Sequence, residues 1–225
     1  MNIVNIYEIY EILEKTYSEL PAPVKRLESL IEPDPFKILI CALISTRTRD
    51  ETTAKVCEKL LSLVNGPEDI LKYSEDELAK IIYPVGFYRE KAKKLLALAK
   101  VLLDEYSGVV PKSQEELLKL PGVGKKVANI VLSQAFQLPY IGVDTHVHRI
   151  CNRLGIVKTK KVEETERTLH NIVPEPLRPK LNKLLVAFGQ MICKPVKPKC
   201  EECPLNRFCT YFLRERPVKQ QNSRL

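Results

Sequence analysis

The stretch that most constrains this chain is Leu120-Pro121-Gly122-Val123-Gly124-Lys125-Lys126, together with the helical pattern behind it. Two glycines around one apolar residue predict a tight turn whose backbone adopts positive φ and lets another molecule approach closely. Ahead of it, Ser113-Gln114-Glu115-Glu116 reads as a capping box that starts a short helix. Behind it, Val127, Ile130, Val131 and Leu132 recur with Ala128 and Ala135 beside them, as on the buried face of a helix over 125–136. The unit is helix, glycine turn, helix. The turn's amides and the second helix's N-terminus make a site for an anion, naturally a phosphate. The plainer alternative is a helix corner whose glycines serve only the turn. The paired lysines and Asp144 downstream set this corner apart.

The rest of the chain repeats helical spacing. Residues 7–20 read as an amphipathic helix ended by Pro21 and Pro23. The near-continuous apolar run after Pro35 (Phe36, Ile38, Leu39, Ile40, Ala42, Leu43, Ile44) predicts a helix buried on most sides. It gives way to Ser45-Thr46-Arg47-Thr48-Arg49-Asp50, a solvated loop or part of a site. Helices follow over 51–64, over 78–82 behind a second capping box at Ser74 and Glu77, and over 89–106 behind Pro84-Val85-Gly86-Phe87-Tyr88. The second box, its turn and the lysine-rich helix behind it weakly echo the stretch around Gly122. Further helices are expected over 145–154, 162–173 and 177–191, and the tail from Pro217 is polar. No segment alternates apolar and polar residues over any length, so the fold expected is all-α, short helices on short connections.

Lysine and arginine number 36 against 28 acidic residues, a formal net charge of +8, which suggests a polyanionic partner. No apolar run reaches the ~20 residues of a membrane span. The first residues, Met1-Asn2-Ile3-Val4-Asn5, carry no basic-then-apolar signal. A cytoplasmic location follows by default, with the nucleus left open.

Of seven cysteines, Cys41, Cys57 and Cys151 lie in helical patterns, while Cys193, Cys200, Cys203 and Cys209 crowd into one segment. Four thiolates so close in sequence close around a metal centre at little loop entropy. Tetrahedral sulfur ligation suits zinc as well as iron-sulfur. Zinc sites usually pair two short knuckles, and only Cys200 and Cys203 form one here, which favours an iron-sulfur cluster. Lys194, Lys197 and Lys199 stand between the first two cysteines. They are either solvated or, on a loop pinned at both ends, a preorganised phosphate-binding surface.

Three signals thus stand in one order: the glycine turn with its lysines, Val143-Asp144-Thr145-His146, and the spacing Cys-x6-Cys-x2-Cys-x5-Cys. Together, over about residues 35–209, they closely resemble the endonuclease III family of helix-hairpin-helix DNA glycosylases. The resemblance implies two helical domains flanking a DNA-binding cleft. One, 28–138, would be a six-helix barrel carrying the hairpin; the other, 1–27 with 139–225, would carry the cluster. It implies Lys126 as nucleophile, Asp144 as catalytic carboxylate, and Cys193, Cys200, Cys203 and Cys209 as ligands of a [4Fe-4S] cluster. The implied substrates are oxidised pyrimidines such as thymine glycol in double-stranded DNA, and abasic sites, handled by a monomer. Adenine glycosylases of the same superfamily usually lack the lysine at position 126. This chain departs from the family's pattern in having Arg47 where glutamine is frequent, Val127 where threonine is, and Phe87 where a leucine wedge is common.

The chemistry suits these residues. C1′ of a stacked nucleotide is out of reach, so the nucleotide is extruded, with Gly122, Gly124, Lys125, Lys194, Lys197 and Lys199 as candidate DNA contacts and Arg47 and Phe87 as candidate fillers of the gap. A lysine attacks as the free amine, which a helix N-terminus and partial burial both favour. Adjacent helix residues point about 100° apart, so only one of Lys125 and Lys126 faces the reacting sugar. The residues alone do not separate them; the resemblance selects Lys126. Asp144 is placed either as the N-cap of the next helix or as a carboxylate that steadies positive charge on the sugar.

Overall fold

The computed structural model describes residues 3–31 and 33–214, and among these every regular element is helical. The first helix, α1 (Ile3–Glu19), belongs with the C-terminal part of the chain. Then come α2 (Pro23–Ile31), α3 (Pro35–Ser45), α4 (Asp50–Leu61), the single turn α5 (Pro67–Ile70), α6 (Glu75–Ile82), α7 (Tyr88–Tyr106), α8 (Gln114–Lys119) and α9 (Lys125–Gln134). The last long helices are α10 (Thr145–Leu154), α11 (Val162–Ile172) and α12 (Arg178–Met191). The chain divides into two compact units, one Pro23–Gly142 and the other Met1–Ala22 with Val143–Leu225.

The unit over Pro23–Gly142 is built around α3. Asp34 caps it, its carboxylate accepting from the amides of Phe36 and Lys37, and Pro35 stands at its first position. Phe36 and every residue from Ile38 to Ile44 are buried, the near-continuous run expected of a helix packed on most sides. Each such Leu or Ile contributes about 1.5–3 kcal/mol relative to leaving it exposed. Helices α4, α7 and α9 pack against it. The box at Ser74 forms in both directions, whereas Ser113 caps α8 by accepting from the amide of Glu116.

In the other unit α12 packs on both α1 and α10. A short 3-10 turn at Glu175–Leu177 leads into α12, and another at Asn206–Phe208 lies within the cysteine segment, just before Cys209.

Two elements are not legible in the sequence. Pro21 and Pro23 look like terminators, yet Pro23 opens α2, because a proline at a first helical position loses no hydrogen bond. Gly66-Pro67 opens the four-residue α5, too short to show a period.

Candidate functional site

The glycine turn uses its two glycines differently. Gly122 adopts φ +80°, and a Cβ there would stand 3.0 Å from Lys94 Cδ and 3.1 Å from Leu43 Cδ1. Gly122 thus takes the positive φ that the turn allows, while Gly124 is extended at φ −97°, ψ 175°, as the N-cap of α9. A Cβ on Gly124 would meet nothing within 4 Å. Neither backbone nor packing within the protein therefore requires glycine at 124.

The paired lysines separate as expected of neighbours on a helix. Lys125 is exposed and Lys126 half-buried. The Lys126 amine lies 3.4 Å from Ser45 Oγ at the end of α3. Ser45 donates its own hydroxyl proton to the carbonyl of Ala42 at 2.7 Å, so its oxygen presents a lone pair to the amine. Behind the turn, buried Asn129 accepts from Gln114 Nε2 at 2.6 Å and donates to the carbonyl of Ile141 at 3.1 Å. It fastens α8, α9 and the segment before Gly142 to each other.

Arg47 and Phe87 come together in the same unit. Arg47 lies in the α3–α4 loop at φ 52°, and Phe87 caps α7 at φ 58°. Left-handed backbone is uncommon for residues with a side chain, and clusters where a structure holds it in place for use. The Arg47 guanidinium carbon stands 5.5 Å from the centre of the Phe87 ring, a cation–π contact, and Phe87 is 61% exposed. With Thr46, Lys94 and Gly122 they line an open cavity of about 320 Å³.

Beneath this pair lies a residue that the sequence does not single out. Lys91, only 5% exposed, donates to the carbonyl of Ile44 at 2.7 Å, to that of Thr46 at 2.6 Å and to Thr48 Oγ1 at 3.0 Å. Burial, then the positive charges of Lys126 and Lys94, pull its pKa down to about 8, with Cys57 acting weakly the other way. A signal for its place does exist: positions 91, 95, 98 and 102 share one helix face, and Leu95, Leu98 and Leu102 are buried.

Asp144, in the other unit, is the N-cap of α10. Its Oδ1 accepts from the amides of His146 and Val147, each at 2.9 Å. That geometry meets the capping role and leaves Oδ2 outside it. His148 Nδ1 lies 2.7 Å from Thr165 Oγ1, inside a polar network that ties α10 to α11.

Cys193, Cys200, Cys203 and Cys209 all line one small apolar cavity of about 20 Å³. Among the described residues, no three His, Cys, Asp or Glu side chains are grouped to hold a single metal ion. A lone tetrahedral zinc needs its sulfurs about 2.3 Å from one point. A four-iron cluster takes each cysteine on a separate corner, so its four sulfurs need not converge on one point. The donor set fits the cluster. Burial raises Cys203 to about 11 and pushes Cys200 and Cys209 upward, so these thiolates need a positively charged partner to persist in their apolar pocket.

Arg153 donates to Cys193 Sγ at 3.5 Å and to the carbonyls of Lys194 and Pro195 at 2.7 and 2.9 Å. Arg149 donates to the carbonyl of Cys193 at 2.8 Å. These two arginines hold the loop that carries Lys194, Lys197 and Lys199; Lys194 and Lys199 are exposed and Lys197 adopts φ 49°.

Residues 40–175 match the family described as HhH-GPD superfamily base excision DNA repair protein, and residues 193–209 match the iron-sulfur binding domain of endonuclease III. The second match starts at Cys193 and ends at Cys209. The chain is 48% identical to endonuclease III of Thermotoga maritima over 81% of its own length and 86% of the relative's. It is 40% identical to endonuclease III of Bacillus subtilis over 80% and 83%. Among solved structures, a non-covalent endonuclease III–DNA complex superposes with a TM-score of 0.84 at 33% identity, covering 96% of this chain and 99% of that one. A trapped endonuclease III–DNA covalent intermediate matches over the same shares with a TM-score of 0.83.

Proposed function

The chain belongs to the endonuclease III family, within the HhH-GPD superfamily of base excision DNA repair proteins, and from that membership we propose how its own residues carry the reaction. It is a DNA glycosylase and abasic-site lyase that carries an iron-sulfur cluster and binds DNA. The substrates assigned to it are oxidised pyrimidines of the thymine glycol type in duplex DNA, and abasic sites, met by a single copy of the chain.

The observation that carries this reading is Lys126: a half-buried amine in the first turn of α9, directly behind a glycine turn open at Gly124. The turn's amides and exposed Lys125 hold the DNA backbone. Arg47 and Phe87 enter the space left by the extruded nucleotide. The Lys126 amine attacks C1′; the new C–N bond forms as the glycosidic bond breaks, and the base leaves with that electron pair and takes up a proton. Loss of the amine proton and opening of the sugar ring leave an imine between Lys126 and C1′. Removal of a C2′ proton then expels the 3′ phosphate, which nicks the strand. The Asp144 carboxylate, with Oδ2 outside the cap, steadies positive charge on the sugar and accepts or returns protons. When bound, the cluster cross-links the segment from Cys193 to Cys209 and so fixes the lysine loop as a phosphate-binding surface.

A panel of duplexes tests the substrate class. Base release followed by a nick at thymine glycol, with undamaged thymine untouched, is the result expected. Release confined to a mismatched thymine or an alkylated purine would replace the assignment.

A further inference from the structure

Arg47 and Phe87 belong to segments 40 residues apart in sequence, and side chains on two surface loops do not ordinarily stay stacked. Three contacts beneath them tie the loops together. Lys91, in the first turns of α7, gathers the carbonyls of Ile44 and Thr46 and the hydroxyl of Thr48 onto one ammonium group. The amide of Gly86, next to Phe87, donates to the same Thr48 hydroxyl at 3.2 Å. Gly86 also lies so close to the Arg47 backbone that a Cβ would stand 2.4 Å from the Arg47 carbonyl oxygen. Pulling the carbonyls of residues 44 and 46 toward one cation turns the peptide of Arg47 outward, which matches its left-handed conformation. A buried cation is costly unless its hydrogen bonds are met. This one meets three oxygens, all of them on the segment that carries Arg47.

We propose that Lys91, with Thr48 and Gly86, is a positioning clamp that locks the Arg47 loop to the Phe87 turn, so that both side chains enter DNA as one preassembled wedge. The proposal rests on the assignment of Arg47 and Phe87 as gap-filling residues. The ammonium of Lys91 is spent on the Ile44 and Thr46 carbonyls and the Thr48 hydroxyl. It acts by removing the cost of ordering two loops at the moment of extrusion. Its effect therefore belongs to duplex DNA, where a nucleotide must leave the stack, and not to a single strand carrying an abasic site, where none must.

Borohydride trapping of Lys91→Met and Thr48→Val on both substrates tests this. Misplacing the wedge lowers the trapping rate on a duplex abasic site roughly tenfold to a hundredfold. On the single strand each variant stays close to the unaltered protein. A 2-aminopurine opposite the abasic site brightens less with the variants, since it reports unstacking directly. Lys91→Met added to Phe87→Ala costs little more than Phe87→Ala alone, because the clamp acts through that residue. Thr48→Val removes one hydroxyl and keeps the test usable if Lys91→Met does not fold. Equal losses on both substrates, or duplex rates unchanged in a folded variant, overturn the clamp. If the unaltered protein traps neither substrate, the lyase reading falls first and the clamp with it.

Discussion

At Asp144 the observed cap and the proposed catalytic role are separable by chemistry. Capping uses Oδ1 as an acceptor for two amides, and an asparagine oxygen does this as well. Stabilising positive charge on a sugar needs the carboxylate. Asp144→Asn is therefore expected to melt within about 0.5 kcal/mol of the unaltered protein and lose most activity, while Asp144→Ala loses both activity and about 1 kcal/mol. Calorimetry beside a nicking assay checks the pair, and an active Asp144→Asn would reduce the residue to its cap. Lys91 makes a second prediction. Its folded pKa of about 8 lies below the ordinary lysine value of 10.5, so between those values the unfolded chain holds a proton that the folded protein has released. Stability then rises with pH across that window, by on the order of 3 kcal/mol at full extent. Melting of the unaltered protein relative to Lys91→Met, followed from pH 7 to 10, should show this gain; a flat difference would contradict it. Lys91 also shows what a sequence hides. Among the many lysines of α7 it resembles part of a solvated face, although its phase with Leu95 and Leu98 places it inside.

The glycine turn shows at the scale of an element how local structure and use divide. Gly122→Ala meets both a left-handed backbone and the side chains of Lys94 and Leu43, and should destabilise the protein by about 1–2 kcal/mol. Gly124→Ala meets nothing, so melting should be unchanged while affinity for abasic DNA falls. An affinity unchanged between Gly124→Ala and the unaltered protein would mean that no phosphate approaches Gly124. Helices are legible where apolar spacing runs for several turns, as in α3, α10 and α12, and where Ser74 or Ser113 marks a start. The period says nothing about φ, so the sequence presents both glycines alike. Proline is ambiguous between the end of one helix and the first residue of the next, which is why α2 is hidden at Pro23. The pairing of Arg47 with Phe87 is not legible either, since it depends on a cation buried beneath both loops.

For the whole molecule, the net charge of +8 and the proposed phosphate contacts of the cysteine-loop lysines predict that DNA affinity depends on counterion release. Replacing Lys194, Lys197 and Lys199 together with alanine should flatten the dependence of log affinity on log salt by roughly 0.9 for each phosphate left without its cation. An unchanged slope would mean that these side chains touch water alone. The spacing of the four cysteines is legible at once, because loop closure ties near neighbours to one centre. The arginines that hold their loop, Arg149 and Arg153, are not, because they come from α10, some 40 residues earlier. The proposed reaction turns on the bond between Lys126 and the sugar. The most direct measurement reduces the protein with borohydride on a duplex abasic site, digests the adduct and locates the modified peptide by mass spectrometry. Modification of Lys126, absent in Lys126→Ala, is the result expected; an adduct on Lys125 or on the N-terminal amine, or one that survives Lys126→Ala, would contradict it.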